Sequence, residues 1–361
     1  DHLHWSGGDW TKARSGMESL GGGHAHAACM VYLGDAWPAE YRNRVFMVNI
    51  HGNRVLYDEL LRKGSGYLAT HGSDFLMAND TWFRGVTVNY GPDGGVFVSD
   101  WNDVGECHDS DGSYRGSGRI YKITYGQPKP VVPIDLQKLN DSELVNMQLH
   151  TNEWFVRHSR RILQERAGSG RMEGGTPLAL QRMVRENKDT TRRLRALWSL
   201  HAIGGSHASI ATPMNRPVRT PQPFPHREST LPNTTILGEL LRDADQNMRW
   251  WAIQLLCEND DVSAPDLQHF TLMARSDPSP MVRLALASAM QRLPIAKRWG
   301  IMQELVKHSD DAADQNLPLM IWYAIEPMVP SDRTRALQLA KNTQIPIIRE
   351  FIARRIAEEQ K

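Results

Sequence analysis

The apolar positions of this chain follow two different rhythms. Up to about residue 126 they come in short alternating or β-branched runs: Ala28 to Leu33, Val45 to Ile50, Val86 to Tyr90, Val96 to Ser99 and Arg119 to Tyr125, each bounded by Gly, Asn, Asp or Pro. A period of two with that punctuation predicts strands joined by turns, hence antiparallel β-structure. After GQPKPVVP, apolar residues recur at i, i+3, i+4 and i+7 in SELVNMQLH, NEWFVRHSRRILQERA, TRRLRALWSLHAIGG, NMRWWAIQLLCEND, SPMVRLALASAMQRL, NLPLMIWYAIEPMV and QIPIIREFIARRIAEEQ. Such spacing lays an apolar stripe along one helix face. Glycine respects the same division, with 20 of 28 in residues 1–126, where turns need its backbone freedom.

Both parts repeat. RVFMVNIHGNRVLYDEL from Arg44, and GVFVSDWND from Gly95 resumed by SGRIYKITYG from Ser117, each read strand, polar turn, strand, with first strands about 51 residues apart. That interval suits one propeller blade, and GPDGG from Gly91 is a tight turn between two strands. Two blades cannot close a ring without leaving open strand edges, so further blades are expected before Asp1. In the helical part an Arg stands near the start of several helices: Arg157, Arg193, Arg249, Arg283 and Arg349. Arg157 to Arg193 is 36 residues and Arg249 to Arg283 is 34, the period of paired-helix solenoids. Asn152, Asp189, Asp245 and Asp277 stand just upstream as helix caps, and these Arg residues and the tryptophans read as architecture. The expected fold is therefore multidomain β plus α: the last blades of a partial β-propeller in residues 1–128, a linker at 129–136, and an α-solenoid at 137–361. A loop at 211–233, rich in proline, interrupts the solenoid.

Composition narrows the function. Lys+Arg total 42 against 41 Asp+Glu, with 40% hydrophobic and 23% charged residues, so no overall field draws the chain to nucleic acid. It has no apolar run near the length of a membrane span. The start at Asp1, without initiator Met or signal peptide, leads us to expect a piece of a longer precursor. Cys29, Cys107 and Cys257 are odd in number and form neither CxxC nor the CxxCH of haem attachment.

Candidate chemistry gathers in the β part, which holds seven of the 14 histidines. On a strand, the two imidazoles of His24 and His26 share one face, as a metal pair requires. His51, His71 and His108 fall at strand ends or in loops, where they can bind metal or act as acid/base groups; otherwise each simply bonds a turn. ANDTWFRG combines Asn79, Asp80, Trp82 and Arg84, either a clamp for an anionic or planar ligand or a salt bridge with Trp82 as filling. Asp100, Asp103, Asp109 and Asp111 make oxygen-rich loops suited to Ca²⁺ or simply to solvent; Ile120 stands where the Glu of an EF-hand would. The metal candidates are His24, His26, His108 and Asp103.

DHLHW, GGGHAHAACMVYLGDAWPAEYRNRVFMVNIHGNR, FLMANDTWFRGVTVNYGPDGGVFVSDWND and GRIYKITYG resemble the propeller of the membrane-bound dehydrogenases of planctomycetes. That propeller is itself similar to the glucose/sorbosone dehydrogenases that use pyrroloquinoline quinone (PQQ). NEWFVRHSRRILQERA, WWAIQLLCEND, DPSPMVRLALASAMQRLP and LPLMIWYAIEPMV resemble the HEAT-like helical hairpins that follow it in those proteins. Many relatives continue into a haem c domain, and no haem motif stands in this chain. The resemblance implies an exported, periplasmic quinoprotein-like dehydrogenase that oxidises a sugar or other alcohol and passes electrons to a c-type cytochrome, with PQQ and Ca²⁺ as cofactors. In the quinoprotein enzymes an Arg-x-Arg pair ahead of the PDG turn holds the quinone. Arg84 matches the first Arg, whereas Val86 replaces the second, and the catalytic His of those enzymes lies upstream of this chain. With Arg84 taken from that match and the others from the residues themselves, the catalytic candidates are His51, Asp80 and Arg84, and the cofactor-binding ones Arg84, Trp82, Asn79 and Arg54. The alternative is a non-catalytic scaffold that binds a polysaccharide or, on the helical surface, a protein partner.

Overall fold

A computed structural model of the chain describes residues 26–50, 52–103, 116–127, 135–207, 235–258 and 262–358. The chain divides into two compact units, Asp1–Leu61 with Leu68–Ile162, and Arg62–Tyr67 with Leu163–Lys361.

The first unit holds two antiparallel sheets. One has the order β1 (His26–Val31), β2 (Val45–Asn49), β3 (Arg54–Lys63), β4 (Gly66–Met77); the other is β5 (Gly85–Tyr90), β6 (Val96–Asp100), β7 (Arg119–Ile123). The β5–β6 turn is the expected tight one: Gly91 donates to the Gly95 carbonyl at 2.9 Å and Gly94 to that of Gly91 at 3.0 Å. Gly94 has φ +74°, and a Cβ there would lie 2.6 Å from the Ala36 nitrogen, so only glycine fits. Period-two alternation buries Val96, Val98 and Asp100 on β6 while Phe97 faces out. Both sheets turn their apolar faces into one core, where Phe46, Val48 and Val55 meet Val88, Tyr90, Val96 and Val98. Tyr32 lies at its centre, ring stacked on Trp37 at 4.5 Å. Its hydroxyl donates to the Gly94 carbonyl at 2.9 Å and accepts from the Trp37 N–H at 2.9 Å and the Ala36 N–H at 3.2 Å.

This corrects the expected fold class. The sheets are open, of four and three strands, and twelve helices accompany them; no propeller blade is detected among the described residues. The repeated strand–turn–strand units are real hairpins. A hairpin repeat alone, however, does not say whether sheets radiate around a channel or face each other, and here they share a core. The period-two pattern does not predict β4, since GYLATHGSDFLM lacks clean alternation.

The first unit continues past the strands. Helix α1 (Asp141–Asn146) starts in a capping box of Asn140 and Glu143. At the start of α2 (Glu153–Gly168), the Asn152 amide donates to the Gly91 and Pro92 carbonyls, both at 3.1 Å. Of the expected linker, residues 129–134 lie outside the described ones.

In the second unit the helices are α3 (Thr176–Glu186), α4 (Thr190–Ala202), α5 (Ile236–Leu240), α6 (Gln246–Leu256), α7 (Ala264–Ser276), α8 (Pro280–Met290), α9 (Ile295–Leu305), α10 (Leu317–Ile325), α11 (Arg333–Asn342) and α12 (Pro346–Glu358). One row runs α4, α6, α8, α10, α12, each packed on the next; α3, α7 and α11 pack on α4, α8 and α12, and α7 also on α9. The recurrent arginines tie the row together. Arg193 holds Asp243, Arg249 grips Asp277 at 2.7 and 2.9 Å, and Arg283 grips Asp311 at 2.7 and 2.5 Å. Each of the last two also donates to the carbonyl six residues back, Asp243 or Asp277, so the pairs form a continuous ladder. Asp189 and Asp245 cap α4 and α6 as expected. At α8 the cap is Ser279 and not the expected Asp277: Ser279 stands four residues ahead of Arg283 as Asp245 does of Arg249, and Asp277 takes the place of Asp243, engaged by the preceding arginine. The loop 211–233 lies outside the described residues. At the tip of the β3–β4 hairpin, which belongs to this unit, the Ser65 N–H and hydroxyl donate to Asp314 at 2.8 and 2.6 Å. Among the described residues no helix is long and apolar enough to cross a membrane.

Candidate functional site

Between β3–β4 and β6–β7 the first unit opens a cavity of about 490 Å³. Val55, Phe83, Val98 and Ile123 give it an apolar wall, and Asp80, Tyr121 and Thr124 bring polar groups to it. Asp80 comes from the turn between β4 and β5, whose shape follows from its residues. Asn79 takes φ +51°, which Asn tolerates better than most. Asp80 Oδ1 accepts the Trp82 N–H at 2.9 Å, and the Phe83 N–H reaches the Asp80 carbonyl at 3.1 Å, so the carboxylate folds the turn that carries it. The Asn53 amide clamps the turn from outside, donating to Thr81 O at 3.2 Å and Phe83 O at 2.8 Å.

With Oδ1 committed to the turn, Oδ2 faces outward. Arg119 Nη1 lies 3.3 Å from it and 3.3 Å from Tyr121 Oη, and the Asn102 amide lies 3.4 Å from it. The side chains of Asp80 and Arg119 are 40% and 50% exposed, so a ligand can reach both. The Tyr121 hydroxyl, and then Asp80, raise the Arg119 pKa further, and the guanidinium is permanently charged. The arrangement sets an acceptor, a donor and an aromatic ring side by side at the mouth of an apolar pocket.

The expected site residues disperse. Arg84 is buried to 1% exposure; its guanidinium donates to Thr81 O at 2.8 Å and Phe83 O at 3.1 Å, and its N–H to Asp100 at 2.7 Å. Arg54 is equally buried, paired with Asp74 at 2.6 Å. Trp82 is held through its carbonyl by the Asp103 N–H at 2.9 Å. His26 lies 3.5 Å from the Asn49 amide, and neither His26 nor Asp103 joins a group of three metal-capable side chains among the described residues. His24, His51 and His108 lie outside the described residues. A quinone with three carboxylates needs several accessible cations. The arginines assigned to it point into the protein's own carbonyls and carboxylates, so the described residues do not fit it.

Sequence reasoning missed Asn102, Arg119 and Tyr121. A signal existed for two of them: in GRIYKI, Arg119, Tyr121 and Ile123 share one face of a strand by the period of two. A family model described as a domain of unknown function (DUF7133) matches residues 9–127, a span that includes both sheets. No curated protein and no solved structure matches the chain.

Proposed function

We propose that the first unit is a binding module whose cleft takes a carbohydrate. The observation that carries this is the outward Oδ2 of Asp80 beside Arg119 and Tyr121. Adjacent sugar hydroxyls each offer a donor and an acceptor, which a carboxylate and a guanidinium side by side can satisfy. The Tyr121 ring and the apolar wall suit the C–H face of a pyranose, and the cavity falls within the range of about 300–1,000 Å³ common to small-ligand sites. Burial of Arg54 and Arg84 favours binding over quinone chemistry. In calorimetric titration of the full chain with a panel of neutral oligosaccharides, one class should bind, and Asp80→Asn should weaken it about tenfold, the scale of one hydrogen bond to a charged group. Binding indifferent to both Asp80→Asn and Tyr121→Ala would refute the reading.

The second reading is oxidation of a sugar or other alcohol with electrons passed to a c-type cytochrome. It draws support from Asp80, an expected catalytic residue that does line the cavity. Sugar-dependent dye reduction by the full chain, abolished by Asp80→Asn, would select it.

A further inference from the structure

We propose that His201, His207 and Glu258 form a binding site for one Zn²⁺ ion in the helical unit. The site is assembled by two helix endings. Helix α4 stops at Ala202, and Gly204 at φ +79° turns the chain back, its N–H donating to the His201 carbonyl at 2.9 Å while the Gly205 N–H reaches that of Leu200 at 2.8 Å. This glycine-dependent reversal brings His207 beside His201, with ring centroids 5.7 Å apart. Helix α6, packed on α4, ends at Leu256 and delivers Glu258 to the same point.

The donor atoms of all three side chains lie within 4.8 Å of one another, and His201 Nε2 is 2.6 Å from Glu258 Oε2. Around Zn²⁺, with bonds of about 2.0–2.2 Å, tetrahedral ligand atoms stand roughly 3.3 Å apart, so modest side-chain rotation completes the shell. Two imidazoles and a carboxylate are a known zinc donor set that leaves a fourth position for water. They suit Ca²⁺ or Mg²⁺ poorly, since those ions take oxygen ligands. A further feature points the same way. His201 Nδ1 is 2.8 Å from the hydroxyl of Ser206, a fully buried residue. That bond fixes the ring and aims Nε2 at Glu258, which is how outer-shell partners orient metal-binding histidines. Once occupied, the site ties the end of α4 to the end of α6.

The test uses the full chain, stripped with chelator, carrying His24→Ala, His26→Ala and His108→Ala so that those candidate ligands cannot contribute. Titration with ZnCl₂ should give one equivalent bound, and Co²⁺ should give the intense visible absorption of four-coordinate cobalt. His207→Ala and Glu258→Gln should each weaken binding about a hundredfold, and Ser206→Ala about tenfold, the lower end of outer-shell effects. Circular dichroism of the metal-free variants should match that of the parent; should His207→Ala misfold, the exposed Glu258→Gln decides. Absence of stoichiometric binding, or binding unchanged by Glu258→Gln, overturns the proposal and leaves only a His201–Glu258 contact.

Discussion

The ladder of arginines makes the sharpest energetic prediction, and Arg283 is its best probe. Its guanidinium makes two hydrogen bonds to Asp311 and one, at 2.8 Å, to the Asp277 carbonyl. The side chains of Arg283 and Asp311 are 8% and 2% exposed, so truncating either strands the other charge in the interior. Stranding one member of a buried pair costs about 3–5 kcal/mol, whereas replacing both by apolar residues of similar volume is close to neutral. Arg283→Met should therefore destabilise by about 3–5 kcal/mol and Asp311→Leu comparably. The double variant should cost much less than the sum, giving a coupling energy of several kcal/mol between the two sites. The contrast is the exposed Arg354–Glu350 pair, whose side chains are 66% and 55% exposed; Arg354→Ala should cost about 0.3–0.5 kcal/mol. Urea unfolding followed by the helical band of circular dichroism, to which the second unit contributes ten of the twelve described helices, gives the five stabilities, the parent included. A cost below about 1 kcal/mol for Arg283→Met, or strict additivity in the double variant, would refute the claim that the ladder is a desolvated, mutually dependent set.

Two further predictions test the local physics of each unit. Tyr32→Phe keeps the stack on Trp37 but removes the hydroxyl that accepts two N–H groups and donates to Gly94; burial pushes this phenol's pKa up, so it stays a donor at neutral pH. Leaving those buried groups unpaired should lower stability by about 1–3 kcal/mol, read as a shift in the chemical midpoint, and a shift under about 0.5 kcal/mol would contradict the assigned role. Asp314 answers to pH. Burial raises its pKa, but the hydrogen bonds from the Ser65 hydroxyl and from the N–H groups of Ser65, Asn316 and Leu317 outweigh burial and hold it below the ordinary 3.8. A carboxylate whose folded pKa is depressed stabilises fully above its unfolded value and loses that contribution as pH falls through the folded one. Stability should thus decline as pH drops below about 4, and Asp314→Asn should flatten part of that slope; identical slopes in both proteins would dispose of the idea.

Local periodicity made the elements legible because side-chain direction repeats every two residues on a strand and every 3.6 on a helix. β1, β2, β5, β6 and β7 fall where the runs Ala28 to Leu33, Val45 to Ile50, Val86 to Tyr90, Val96 to Ser99 and Arg119 to Tyr125 put them, to within a few residues at each end. The recurrent Arg spacing pointed to architecture, and Arg249 and Arg283 sit in equivalent positions of successive repeats. How the two sheets meet was not legible. It depends on Tyr32, Trp37 and Phe83 filling one space between sheets, and no periodicity along the chain encodes a contact between residues 62 apart such as Tyr32 and Gly94.

The site was half legible, for a reason that bears on how charged residues are read. Arg84 and Asp80 stand four positions apart in a motif that invites a shared role, yet the turn sends one inward and leaves one oxygen of the other facing out. A buried arginine must satisfy its donors, and carbonyls of the same turn did so, which turned a plausible anion clamp into a brace. Asp80 spent Oδ1 on the Trp82 N–H and kept Oδ2 for Arg119, a residue 39 positions away that nothing local connects to it. Brace and exposed carboxylate depend on each other: without Arg84 and Asn53 holding the carbonyls of Thr81 and Phe83, the turn that aims Asp80 at the cavity would lose its shape. Arg84→Lys, whose shorter side chain ends in a point-charge ammonium and not a planar guanidinium, should therefore weaken any ligand that depends on Asp80, although Arg84 is not among the residues that line the cavity. Undiminished affinity in a folded Arg84→Lys chain would show that Asp80 is positioned without the brace.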